Sequence, residues 1–266
     1  MAARRALDDL YARLNRRCYV HPDPLEVLGD YPDVGDREIA ALVAACLSYG
    51  RVKSILASVR WVLERLTPSP ARFLADASAA SLHELLAGFR HRFATGAQMA
   101  ALLLGARRLI AEHGSLNAAF VAHLGSDDAT VVPALTAFAA ELREAAGGLD
   151  AHLLPCPARG SACKRLNLLL RWMVRRDAVD PGGWTGVSPA QLVVPLDVHM
   201  RRICAALGLT RRKSADLRAA LEITAAFRRF APDDPVRYDF ALTRLGIRPD
   251  ADLDAFLARW AAPDAP

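Results

Sequence analysis

The sequence predicts an all-α fold arranged as two helical lobes. Three observations carry that expectation. Alanine and leucine dominate a chain that is 53% hydrophobic but only 7% aromatic, a composition that favours helix over strand. Apolar residues recur at i, i+3, i+4 and i+7, the stripe of a helix with one buried face. No stretch of useful length alternates apolar and polar residues as a half-buried strand would. At 266 residues the chain can form one compact unit or two lobes sharing a cleft. The expected division is an N-terminal helix and linker over residues 1–35, a first lobe over 36–147 and a second over 148–266.

Taken in order, residues 3–17 read as a basic amphipathic helix with Leu7, Leu10, Tyr11 and Leu14 on one face, broken by His21-Pro22-Asp23-Pro24. Asp36 is placed to cap a helix ending at Tyr49, Gly50 turns the chain, and a second helix runs from Val52 to Leu66, where Pro68 and Pro70 stop it. A short helix at Leu82–Leu86 leads into the basic turn Gly88-Phe89-Arg90-His91-Arg92-Phe93, and a long helix follows from Thr95 to Glu112. Arg90, His91 and Arg92 form either a solvated turn or part of a polyanion-binding groove. Ser115–Leu124 and Val131–Ala146 make two more helices, ended by Gly147-Gly148.

The next helix follows Lys164. Leu166, Leu169, Leu170, Met173 and Val174 line its buried face, and Lys164, Arg171 and Arg175 fall together on the opposite side of a helical wheel. Between residues 151 and 176 there are six Lys/Arg and no Asp/Glu, which predicts a positive wall. The loop Asp180-Pro181-Gly182-Gly183-Trp184-Thr185-Gly186 comes next; Trp184 either covers a core edge or stacks on a ligand ring. Asp197 sits where an N-cap belongs, ahead of Met200, Ile203, Cys204 and Leu207. Helices at Ser214–Arg229, Pro235–Leu245 and Asp252–Trp260 complete the chain.

Composition narrows the function. The net charge of +5 and the pI near 9.2 suit a nucleic-acid partner without requiring one. The longest apolar run, Ile39–Leu47, is far short of a membrane span, and the first residues do not read as a signal peptide. Five cysteines with no C-x-x-C pair read as reduced cytosolic thiols. Seven scattered histidines with no H-x-x-x-H spacing predict no metal site. No cofactor is expected, and the expected location is the cytoplasm. Of 34 basic residues only Lys53, Lys164 and Lys213 are lysines. Arginine cannot serve as a neutral amine nucleophile, so a lysine kept in so Arg-rich a chain is a candidate for chemistry; the alternative is a leftover solvated lysine.

Gly160-x-x-x-Lys164-x-x-Asn167, followed by Pro195-Leu196-Asp197-Val198-His199-x-x-Arg202, resembles the helix-hairpin-helix DNA glycosylase superfamily of base-excision repair. Cys46-Leu47-Ser48-Tyr49-Gly50-Arg51-Val52 is similar to the segment those enzymes push into the duplex, and the resemblance covers roughly residues 36–246. The hairpin is degenerate, with Ala162 where a second glycine is usual. The 33-residue step from Lys164 to Asp197 is closest in pattern to the archaeal 8-oxoguanine glycosylase branch. The chain also resembles an uncharacterised bacterial family of this length. With no cysteine after Cys204, no iron–sulfur cluster is expected.

The resemblance implies a two-lobed helical fold of that type, acting as a monomer on lesion-containing double-stranded DNA. It implies Lys164 as a Schiff-base nucleophile and Asp197 as its catalytic carboxylate. It also implies DNA contacts from Tyr49 (as a wedge), Arg51, Gly160, Ser161, Asn167, Arg171, Arg175, His199 and Arg202. Two other readings stay open: a non-catalytic DNA-binding protein on the same fold, in which Asp197 is a plain N-cap, and a helical RNA- or protein-binding scaffold.

Overall fold

The computed structural model describes residues 2–150, 152–248 and 252–261. It is predominantly helical, and the one sheet among these residues is a two-stranded hairpin. The helices are α1 (Ala2–Leu14), α2 (Val34–Leu47), α3 (Val52–Leu63), α4 (Pro70–Asp76), α5 (Ala79–Leu85), α6 (Gly96–His113), α7 (Leu116–Val121), α8 (Val132–Ala145), α9 (Lys164–Val174), α10 (Val198–Ala206), α11 (Leu217–Arg228), α12 (Asp239–Ile247) and α13 (Leu253–Ala261). Strands β1 (Arg90–His91) and β2 (Ala94–Thr95) pair antiparallel around Arg92 and Phe93.

The core is centred on α2. Every side chain from Ile39 to Leu47 has no exposed surface, the signature of a helix packed on all sides rather than on one stripe. It contacts α3, α4 and α9, and the 3-10 turn Pro24–Asp30. Each fully buried Leu or Ile here contributes about 1.5–3 kcal/mol. α6 packs against α7 and α8, while α1 packs against α12 and α13. The buried residues form one cluster running from α1 to α13, through both predicted lobe ranges. The expected linker at 1–35 is thus an integral part of the packing.

Local chemistry explains where the elements differ from expectation. α2 is capped by Asp33, whose Oδ1 accepts the Asp36 amide at 3.1 Å, not by Asp36 itself. Asp36 is used elsewhere: its Oδ1 accepts the Ser69 hydroxyl at 2.6 Å and the Ala71 amide at 2.9 Å. Those bonds hold the start of α4, a helix missing from the sequence reading. Pro70 was a stop signal there, yet it occupies the first turn of α4 behind the Ser69 cap, where its lack of an N–H costs nothing. Gly96 opens α6 against Leu86: a Cβ there would stand 1.7 Å from the Leu86 carbonyl oxygen. Thr95 and Gln98 close a capping box at the same end.

Candidate active site

Lys164 is the first residue of α9, and the turn before it is pinned from two sides. Pro157–Arg159 is a single 3-10 turn, and among the described residues no α-helix lies between α8 and α9. Gly160 follows at φ 76°, a left-handed conformation that glycine adopts freely. Its carbonyl accepts the Leu217 amide at 2.9 Å, and Ser161 bridges to Asp216. The turn therefore sits on the start of α11. The Ser161 hydroxyl accepts the Cys163 amide at 3.1 Å, and Cys163 is itself left-handed at φ 45°.

Asp197 enters from α10 and uses both carboxylate oxygens. Oδ1 accepts the Met200 amide at 2.9 Å, which is the expected N-cap, and Oδ2 accepts Lys164 Nζ at 2.6 Å. The amine and the carboxylate, 33 residues apart in sequence, are thus in direct contact. Burial raises the Asp197 carboxyl, but the Lys164 ammonium and its hydrogen bond, then the Met200 amide and His199, outweigh it and hold the group below the usual carboxylate range.

The pair lies on the wall of a cavity of about 640 Å³. The His21–Pro24 segment, Ser48, Val52 and Ile55 line it, and Trp172, Phe240 and Ile247 contribute apolar surface. Two further ion pairs line it: Arg171–Asp239 at 2.5 Å, and Arg244–Asp23. Exposure separates the three pairs. Lys164 and Asp197 keep 37% and 33% of their side-chain surface, against 4% and 3% for Arg171 and Asp239. Reactive groups must be reachable as well as positioned, and Lys164–Asp197 is the most accessible of the three pairs. Burial raises the Asp239 carboxyl, opposed chiefly by Arg171 and also by Lys164.

Several predicted site residues are placed differently. Arg171 and Arg175 do not form a positive wall: they are buried and neutralised. Asp180, with no exposed surface, accepts Arg171 Nη2 at 3.0 Å and also binds Arg175 Nη1. Arg175 further pairs with Asp177 at 2.8 Å and Asp234 at 3.0 Å. Burial lowers the pKa of Arg175, but Asp180, Asp234 and Asp177 together raise it well above its usual value. The physical reason is desolvation, since a guanidinium is tolerated inside when carboxylates surround it. Asn167 is also buried; its amide donates to the Ala162 carbonyl at 2.9 Å, closing the turn before α9.

Tyr49 does not stand free as a wedge. It is half-buried, its hydroxyl donates to the His91 carbonyl at 3.1 Å, its ring meets His91 edge-on, and the Arg165 guanidinium lies 4.9 Å from its centroid. The large aromatic exposed nearby is Phe93, 67% exposed at the hairpin tip between Arg92 and β2. His91 is buried and bonded to Ser58, so of the turn's three basic residues only Arg90 and Arg92 face solvent. Trp184 covers the core: it is 5% exposed and packs on Phe120 at 5.6 Å. Arg51, His199 and Arg202 are exposed, and His199 lines the cavity.

The sequence reading missed Asp239, Arg244, Asp23 and Phe240 as cavity residues. One signal was available: Asp239 stands alone inside the apolar run Tyr238-Asp239-Phe240-Ala241-Leu242, where an acid is costly unless paired. Among the described residues no helix is long and apolar enough to cross a membrane.

No curated protein and no solved structure matches the chain. A family model described as "Protein of unknown function (DUF2400)" matches residues 23–248, a span holding Lys164, Asp197 and the cavity-lining residues other than His21 and Pro22. The chain belongs to that family.

Proposed function

We propose that this protein is a DNA base-excision enzyme, a glycosylase with abasic-site lyase activity on damaged bases, acting through Lys164 assisted by Asp197. The observation that carries the reading is the 2.6 Å Lys164–Asp197 contact on the accessible wall of an otherwise ion-paired, largely apolar cavity. It agrees with the motif resemblance around the same two residues.

The chemistry needs a primary amine beside a carboxylate. Asp197 takes a proton from the Lys164 ammonium. The freed lone pair attacks C1′ of the nucleotide, and the C1′–N bond breaks, its electron pair leaving with the base, which is then protonated. Asp197 passes that proton to the departing base and, ionised again, balances the positive charge that develops on the sugar. Ring opening gives an imine on Lys164, β-elimination cuts the 3′ phosphate bond, and hydrolysis returns the amine. The exposed cations Arg51 and Arg202 supply phosphate contacts. Buried Arg171 and Arg175 supply none.

The test is borohydride trapping on duplex DNA bearing an abasic site or an oxidised purine. The expected result is a covalent complex with the parent protein, none with Lys164→Ala, and base release slowed about 10²–10⁴-fold in Asp197→Asn. Trapping by Lys164→Ala at the parent level, or no trapping by the parent on any lesion, would overturn the reading. In the second case salt-dependent binding to intact duplex would support the non-catalytic DNA-binding alternative.

A further inference from the structure

Away from the cavity, the C-terminal end of α6 and the turn after α7 meet the second half of α8. Ligand atoms of Glu112, His113 and Glu141 all lie within 4.8 Å of one another. His113 Nε2 is 2.6 Å from Glu141 Oε1, and His123 Nε2 is 2.5 Å from Glu141 Oε2. One carboxylate thus holds two imidazoles, one on each oxygen. The side chains of His113, His123 and Glu141 keep 20%, 29% and 24% of their surface, so an ion in solution can reach them.

We propose that Glu112, His113 and Glu141 form a binding site for a divalent transition-metal ion of the zinc class, with His123 as a positioning residue on the far oxygen of Glu141. Two features point beyond an ordinary surface ion pair. Glu112 brings a second carboxylate to Glu141, yet among the described residues no Lys or Arg ion pair reaches either group. A divalent ion seated between them would be met by both carboxylates and by the His113 imidazole. The donor set also fits: one imidazole nitrogen and two carboxylate oxygens are ordinary zinc ligands at about 2.0–2.2 Å, and water takes the fourth tetrahedral position.

Binding needs small movements. Ligand atoms on a tetrahedron of that radius stand roughly 3.4 Å apart, so Glu112 closes in and His113 backs away slightly from Glu141. His113 must then present an Nε2 lone pair, with its proton on Nδ1 or released to solvent. His123 keeps its bond to Oε2 and fixes the carboxylate plane, as groups behind metal ligands commonly do. Such an ion would fasten the end of α6 to α8, which already meet through packing and the His113–Glu141 bond. Residues 112, 113, 123 and 141 come together only in the fold, so a search for close histidine spacing passes over them.

The test uses the full chain, stripped with EDTA and titrated with Zn2+ by calorimetry, with Co2+ as a spectroscopic probe. The expected result is one equivalent of Zn2+, a thermal midpoint raised by about 5–10 °C at a hundredfold excess over Kd, and a Co2+ spectrum without thiolate charge-transfer bands. Glu112→Gln, an exposed change that leaves the fold intact, and His113→Asn should each abolish the stoichiometric site. His123→Ala should weaken it about 10–100-fold without changing the midpoint of the metal-free protein by a similar margin. No binding by the parent, a thiolate spectrum that places the ion on the cysteines, or unchanged binding by Glu112→Gln would overturn the proposal. None of these outcomes depends on activity at Lys164.

Discussion

Replacing Asp180 by asparagine should unsettle the protein more than almost any other single polar change. Asp180 is fully buried and accepts from both Arg171 and Arg175, which are themselves 4% exposed. Asparagine keeps the volume and removes the charge. Arg171 would retain only Asp239, and Arg175 would retain Asp177 and Asp234. Breaking a buried pair by removing one partner costs about 3–5 kcal/mol, because the remaining charge is left in a poorly solvated site. The surviving carboxylates put the expectation at the lower end, about 3 kcal/mol. At roughly 2–4 °C per kcal/mol for a chain of this size, the thermal midpoint should fall by about 6–12 °C.

Circular dichroism at the helical band would follow the melt, with a urea titration giving the free energy independently. Arg176→Ala, on an exposed residue one position along, is the control and should stay within about 0.5 kcal/mol. Joint replacement of Arg171 by Met and Asp180 by Leu should be less harmful than the sum of the singles, since each leaves with its partner and only Asp239 loses its arginine. A loss below 1 kcal/mol for Asp180→Asn, or strict additivity of the pair, would refute the view that these arginines are held inside by charge compensation.

Two further predictions concern the site and its support. Asp197 has a folded pKa below its unfolded value, so its ion pair contributes stability above the unfolded carboxylate pKa of about 3.9, lost as pH falls through the folded value. The stability gap between the parent and Asp197→Asn should be full above about pH 4 and shrink below it, whereas Asp197→Ala should lose a further cap worth about 1 kcal/mol at every pH; a gap independent of pH in denaturant titrations from pH 2 to 7 would contradict this. Gly96→Ala should cost about 1–3 kcal/mol or more, because the new methyl meets the Leu86 carbonyl at 1.7 Å, and a neutral melting curve would show that α5 yields easily.

How far the chain could be read in advance depended on whether a signal was local. Helix interiors and caps are local: the Asp197 cap, the Gly50 turn and the Leu166–Val174 face were all legible from spacing. The hairpin around Arg92 was not, because two-residue strands are too short to show alternation. Arg171 and Arg175 show the deeper limit. A helical wheel tells which residues share a side of α9, but not what that side meets. Here it meets carboxylates delivered by Asp177 and Asp180 after the helix, and by Asp234 and Asp239 some 60 residues further on. The same distance effect hid the 112–141 cluster. Lys164 and Asp197 were legible as a pair because each sits at a helix start with a recognisable motif; their direct contact was not.

The packing of α1 on α12 and α13 carries a consequence for how the molecule is assembled. The Tyr238 hydroxyl meets Asp8 across 230 positions and Arg259 meets Asp9 across 250. During synthesis α1 emerges long before the surfaces that cover it, so Leu7, Leu10 and Leu14 wait uncovered while more than 200 residues are added. At roughly 5–20 residues per second that wait is of the order of ten seconds or more. Over that interval the amphipathic stripe of α1 is a hydrophobic surface of the kind chaperones hold. Docking it last would close the chain like a clasp, so truncation ahead of Tyr238, which removes both α12 and α13, should yield a nascent-like state whose first helix is open to proteolysis.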